Sequence, residues 1–195
     1  MNPRARITLI SHATTAAMRK AAFPTDEPLE VDGRLRDRIT HWRRPTAQLV
    51  CCAPERRALQ TAKLLGLSPS IDFELRDCDY GVWAGHELTQ IQETAPEAVT
   101  TWLEDPAAAP HGGESIAHLI ARAADWLATH TGYRHTLAVT HAAVIRSAVV
   151  TILQTPATAF WRVDIEPLSL TQLHFNGSAW NIRYLGTPVG IGNTS

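Results

Sequence analysis

Three short stretches of this chain hold the residue types that can move a phosphate. The first is Ser11-His12-Ala13, which follows the apolar run Ile7-Thr8-Leu9-Ile10 and precedes Thr14-Thr15. Apolar and β-branched residues ended by small polar ones predict a short buried strand with His12 at its end. The second runs from Ala47 to Cys52 and on through Ala53-Pro54-Glu55-Arg56-Arg57. It predicts a strand, a brief break, and a helix with Pro54 near its first turn, Arg57 within that turn and Gly66 beyond its end. The third is Thr136 to Thr140 followed by His141, with a helical run from Ala143 to Leu153 closed by Pro156. In open α/β sheets ligands collect at the carboxyl ends of strands. Helix N-termini add free N–H groups and a favourable dipole for anions. His12, Arg57 and His141 are therefore expected to converge on one phosphate-sized anionic pocket.

Further motifs stand around these three. Arg57-Ala58-Leu59-Gln60-Thr61-Ala62 opens the second helix, and Leu75-Arg76-Asp77-Cys78-Asp79-Tyr80-Gly81-Val82-Trp83-Ala84-Gly85 follows it. Gly112-Gly113-Glu114-Ser115 comes next, and Val139-Thr140-His141 with Ile145-Arg146 comes last. In this order, over almost the whole chain, the set resembles the histidine phosphatase superfamily with its phosphoglycerate mutase-like fold. The resemblance implies a three-layer αβα sandwich around a mostly parallel sheet. It implies that His12 is the nucleophile that carries a phosphohistidine and that Arg57 holds phosphoryl oxygens. His141 would donate to the charge that builds in the transition state, and Asp77 would stand where the family has a glutamate acid and base. Ser11, Ala13, Thr14 and Ala142 would complete the phosphate surroundings, with no metal and no cofactor.

The departures are specific. Ser11 stands where the family has an arginine and Ala13 where it has glycine. Met18 occupies the position of an asparagine phosphate ligand of the mutase branch, and Asp77 is one methylene shorter than glutamate, with Asp79 as a nearby rival. A hydrogen bond to a charged group is worth ~1.5–3 kcal/mol, so one lost arginine weakens such a site without silencing it. The expected function is a phosphomonoester hydrolase for a small phosphorylated metabolite. A phospholigand-binding or regulatory protein without turnover is the alternative. A phosphoglycerate mutase fits less well, because the chain is short and Ser11 and Met18 both depart from its phosphate site.

The rest of the chain must position these residues. With 195 residues, 45% hydrophobic and 19% charged, it reads as one globular domain. A net charge of −1 and the lack of a basic run argue against nucleic acid or an anionic membrane as partner. No stretch reaches transmembrane length, and the pattern gives no oligomeric state. Cys51, Cys52 and Cys78 form an odd set with two adjacent members, which predicts reduced, packed thiols and a cytoplasmic protein. Thr14 to Leu29 reads as a loop with one helical turn, where Arg19 and Lys20 can supply charge to the pocket. Gly33 to Trp42 reads as a helix, and Ile71 to Phe73 as a brief strand. Two short helices around 86–110 are expected as a small cap, with Trp83 near the pocket. Ile116, Leu119, Ile120, Ala123 and Leu127 form one stripe, so Ser115 to His130 is the clearest helix. Asn176-Gly177 between alternating runs predicts a hairpin, and Thr187 to Ser195 a loose tail. His111, His118, His130 and His135 lack zinc spacing and read as surface or capping residues.

Overall fold

A computed structural model describes residues 4–190. The first apolar run forms β1 (Ala5–Ser11), followed by the single-turn α1 (Ala16–Arg19) and by α2 (Gly33–Thr40). Next come β2 (Leu49–Cys52), α3 (Arg56–Leu64) and the two-residue β3 (Ser70–Ile71). Two 3₁₀ turns, Phe73–Leu75 and Gly81–Trp83, lead to α4 (Leu88–Thr94) and α5 (Pro96–Glu104). Then follow α6 (Ile116–Thr129), β4 (Thr136–Thr140) and α7 (Ala142–Leu153). A 3₁₀ segment, Ala157–Arg162, precedes the hairpin of β5 (Ser169–Phe175) and β6 (Trp180–Pro188).

The strands form one six-stranded sheet in the order β3-β2-β4-β1-β5-β6. β1, β2, β3 and β4 are parallel, while β5 runs antiparallel to β1 and β6 to β5. Every residue of β4 is buried, as expected of a central parallel strand covered on both faces. Helices flank the sheet to give the three-layer α/β architecture. The main core joins Ile7, Leu9 and Ile10 of β1 to Leu137, Ala138 and Val139 of β4 and to Leu119 and Leu127 of α6. Each such Leu or Ile contributes about 1.5–3 kcal/mol. A second, smaller cluster of Phe23, Trp83, Ile91, Val99 and Trp102 packs α4 and α5 together. Trp83 belongs to this cluster, with its ring 5.2 Å from that of Phe23 and 5.6 Å from that of Trp102.

The structure corrects several local expectations. The brief strand is Ser70–Ile71, and Phe73 already belongs to a 3₁₀ turn because the Asp72 side chain caps Glu74 N–H at 3.0 Å. The tail is ordered through Gly190: Val189 is buried and its N–H reaches the Leu168 carbonyl at 3.0 Å. Residues 191–195 lie outside the described residues. His111, His130 and His135 are buried, not on the surface. Each finds a polar neighbour close by, the Trp126 carbonyl at 2.7 Å for His130 and the Thr46 carbonyl at 2.7 Å for His135. No helix among the described residues is long and apolar enough to cross a membrane.

Candidate active site

Strand register builds the site. Ser11 pairs with Thr140 across β1 and β4, and the His12 N–H donates to the Thr140 carbonyl at 2.9 Å. The residues that follow, His12 and His141, are thereby brought side by side, with ring centroids 5.1 Å apart in an edge-on arrangement. On the other side of β4, the Ala53 N–H donates to the Val139 carbonyl at 2.9 Å, which sets the start of α3 beside the same strand ends. Thr61 ties the two halves together. Its hydroxyl donates to the Arg57 carbonyl at 2.8 Å and accepts from the Ala13 N–H at 3.0 Å.

The protonation pattern of His12 follows from its contact. Nδ1 lies 2.8 Å from the Ala13 carbonyl oxygen. A carbonyl can only accept, so Nδ1 carries the proton and Nε2 holds a free lone pair. Burial, then the neighbouring His141, lowers the pKa of His12 from 6.5 to about 3. The ring is therefore neutral near pH 7, as attack through nitrogen requires.

Around it lie one guanidinium, one imidazole and three carboxylates, those of Asp77, Glu55 and, 3.8 Å from Arg57 Nη1, Glu27. Arg57 is 2% exposed, and its Nη2 donates to Asp77 Oδ2 at 2.7 Å while Nη1 donates to the Thr25 carbonyl at 2.5 Å. His141 sits at the N-cap of α7, and its Nε2 lies 2.8 Å from Glu55 Oε2. Its Nδ1 faces Asp77 Oδ2 at 3.3 Å without the alignment of a hydrogen bond. Arg57 Nε is likewise buried and unpartnered. Burial pushes the Asp77 carboxyl up, but His141 and Arg57 outweigh it and hold the group below its ordinary value of 3.8. Glu55 is held below 4.5 in the same way, burial opposing and the His141 hydrogen bond prevailing.

Two supports of this cluster lie outside the motifs. Glu55 accepts from the Asp77 N–H at 3.0 Å through the oxygen that does not reach His141. Arg122 of α6 is buried and forms a double contact with Glu114, Nε to Oε1 at 2.9 Å and Nη2 to Oε2 at 2.7 Å. The same guanidinium donates to the carbonyls of Glu74 at 2.6 Å, Arg76 at 3.0 Å and Asp77 at 3.3 Å, so it holds the loop that presents Asp77. Close packing explains Gly113 and Gly81. A Cβ on Gly113 would lie 2.1 Å from the Asp79 carbonyl oxygen, and one on Gly81, which has φ +47°, would lie 2.0 Å from that of His111. The Asp77 loop is thus braced backbone against backbone.

A family model described as the histidine phosphatase superfamily (branch 1) matches residues 7–188. The chain belongs to that superfamily. Among its curated relatives is the glucosyl-3-phosphoglycerate phosphatase of Mycobacterium tuberculosis, 32% identical over 123 residues. That match covers 55% of this chain and 55% of the relative, so it spans about half the relative's length. An acid phosphatase of the same organism is 31% identical over 142 residues, covering 71% of this chain and 68% of the relative. A solved mycobacterial glucosyl-3-phosphoglycerate phosphatase complexed with VO3 superimposes with a TM-score of 0.79 at 25% identity, covering 94% of this chain and 99% of that one. A putative alpha-ribazole-5'-P phosphatase from Escherichia coli shares the fold with a TM-score of 0.83 at 23% identity, covering 96% and 99% of the two chains.

In this chain, then, His12, Arg57, His141 and Asp77 lie together at the carboxyl ends of β1, β2 and β4. Ala13 contributes the carbonyl that orients His12, while the half-buried Thr14 binds the Glu30 N–H through its own carbonyl at 2.9 Å. Ala142 is the first residue of α7, where the N–H has no intrahelical acceptor. Ser11 does not join them. Its hydroxyl donates to the Glu166 carbonyl at 2.6 Å and accepts from the Ser169 N–H at 3.0 Å, so the side chain is used in joining β1 to the start of β5. Asp79 is exposed and binds the Gly81 N–H at 2.9 Å, which leaves Asp77 as the carboxyl that touches the cluster. Arg19 pairs with Glu30 and with Asp32 at 3.6 Å on the surface, so its charge is already matched there. Burial raises the Cys51 and Cys52 thiols to about 12, leaving them protonated and unreactive. No group of His, Cys, Asp and Glu suited to a metal occurs among the described residues.

Proposed function

We propose that this chain hydrolyses phosphomonoesters of small metabolites through a phosphohistidine on His12. The observation that carries the proposal is the Nδ1 contact with the Ala13 carbonyl at 2.8 Å, which leaves Nε2 as a lone pair beside Arg57 and His141. Nε2 attacks phosphorus, the ester P–O bond breaks, and the leaving oxygen takes a proton. The bare site holds Asp77 as a carboxylate against Arg57 and His141. An entering phosphoryl group takes over these two partners, including the open His141 Nδ1 and Arg57 Nε, and adds negative charge beside a buried carboxyl. That change favours proton uptake by Asp77, which then serves the leaving oxygen. In the second half the Asp77 carboxylate draws the proton from the water that attacks phosphorus, and the P–N bond breaks to release phosphate. Glu55 keeps the Nε2 proton of His141 in place throughout.

Ala13 and Thr14, which follow His12 in the chain, line an open cleft of about 260 Å³ together with Arg19, Glu30, Asp32, Arg34 and Arg38. The unpaired, buried thiols of Cys51 and Cys52 support a cytoplasmic setting. Brief incubation with a phosphodonor, quenched in alkali, is expected to label His12. His12→Ala should lose the label and at least ~10⁴-fold in turnover. A folded, unmodified chain that binds phosphate esters but gives neither label nor turnover across a broad donor panel would be a binding protein instead.

A further inference from the structure

The amino ends of the same parallel strands enclose a second cleft. Arg6 from the start of β1, Thr46 and Gln48 ahead of β2, and Arg134 and His135 ahead of β4 line about 590 Å³ of open space. The 7 residues of β1 separate it from His12 by about 20 Å.

Hydrogen-bond directions in this cleft leave cations without acceptors. Arg6 Nη2 lies 3.1 Å from His135 Nδ1, yet that nitrogen also lies 2.7 Å from the Thr46 carbonyl oxygen. The carbonyl accepts, so Nδ1 carries the proton and the guanidinium faces another donor. His135 Nε2 is then the acceptor for the Thr8 hydroxyl at 3.0 Å. Among the described residues neither Arg6 nor Arg134 has a carboxylate within 4.0 Å. Gln48 Oε1 accepts the Arg134 backbone N–H at 2.9 Å, which leaves the Gln48 amide nitrogen as a donor.

The sequence explains why no counter-ion is near. Positions 1–25, 38–54, 126–163 and 167–195 contain no Asp or Glu, and the strand starts are drawn from these segments. Arg6 faces His174 across the β1–β5 ladder. Burial holds both His135 and His174 below their ordinary value; Arg6 adds to this at both, while the Thr46 hydrogen bond opposes it at His135. Like charges gathered without partners raise the free energy of the bare cleft, and a bound anion relieves it.

We propose that this cleft is a second ligand site, separate from the His12 pocket, for a small multivalent phosphate held by the guanidinium groups of Arg6 and Arg134 and the amide nitrogen of Gln48. The probe is inorganic pyrophosphate, titrated calorimetrically into the full chain at physiological ionic strength. Arg134→Gln changes an exposed residue and should weaken one class of binding about tenfold, with melting temperature and turnover unchanged. Arg6→Gln in addition should bring the loss to about a hundredfold. Arg57→Gln, which strips the other pocket, should leave this class of binding intact. The proposal is overturned by equal affinity in Arg134→Gln, by absence of binding in the unmodified chain, or by loss of all binding in a folded Arg57→Gln. A single-stranded RNA oligomer that binds this cleft more tightly than pyrophosphate also overturns it, in favour of a nucleic-acid surface.

Discussion

At the carboxyl ends of β1, β2 and β4 carboxylates stand against the buried basic side chains: Arg57 has Asp77, Arg122 has Glu114, and His141 has Glu55. At the amino ends of the same strands Arg6 and Arg134 have none among the described residues. The first end is buried and its charges are matched internally, with Arg57 Nε and His141 Nδ1 left open; the second is exposed, where unmatched charge costs little. Internal carboxylates at the first end keep a buried guanidinium tolerable. The two ends therefore answer differently to acid, to charge deletion and to added charge.

Acid should show the largest difference. His12 titrates at about 3 in the folded chain against 6.5 when unfolded. The unfolded state binds the extra proton first, so stability falls as pH drops from about 6.5 to about 3, by about 1.4 kcal/mol per pH unit from this group. Asp77 and Glu55, held below 3.8 and 4.5, contribute stability that is present above those values and is lost at lower pH still. Urea titrations across this range should show His12→Gln losing the upper part of the slope. An identical slope in the variant would contradict the buried, neutral imidazole.

Glu114→Gln comes next. It leaves the Arg122 guanidinium buried without its counter-charge, and about 3 kcal/mol of unfolding free energy should go with it. Loosening the Asp77 loop should lower kcat more than it raises KM, which steady-state kinetics can separate. Ser11→Arg should cost about 1–3 kcal/mol, because a long side chain displaces the hydrogen bonds to Glu166 and Ser169. Activity should fall; a gain would mean that the added guanidinium reaches the phosphate. Least of all, Arg134→Gln should shift stability by no more than about 0.5 kcal/mol, and in the favourable direction if repulsion dominates. A clear loss in thermal melting would show that Arg134 has a partner after all.

The strand-end logic that brings His12, Arg57 and His141 together is readable from three apolar runs and the residues just after them. Five motifs in family order carry the fold with it. What was not readable depends on where side chains point. Ser11 looks like a phosphate ligand by position, but its hydroxyl is bonded to β5, a strand far away in sequence. Arg122 did leave a signal: a charged residue among Leu119, Ala123 and Trp126 on the inner face of α6 must be paired. Glu55 left a weaker one, a carboxylate at a helix N-cap two residues before Arg57. The basic cleft was hidden by a net charge of −1, since averaging over the chain erases a segregation visible only segment by segment.

The acceptor that orients His12 is the carbonyl of Ala13, and the N–H of the same residue is anchored on Thr61. Where an acidic side chain fills that office, a single codon change can remove it. Here the orienting oxygen belongs to the main chain, so replacing the Ala13 side chain leaves it in place. In a lineage drifting under weak selection, the orientation of the His12 ring should outlast the charges around it. Descendants of this chain that had lost Arg57 or Asp77 would then still present the same oriented imidazole.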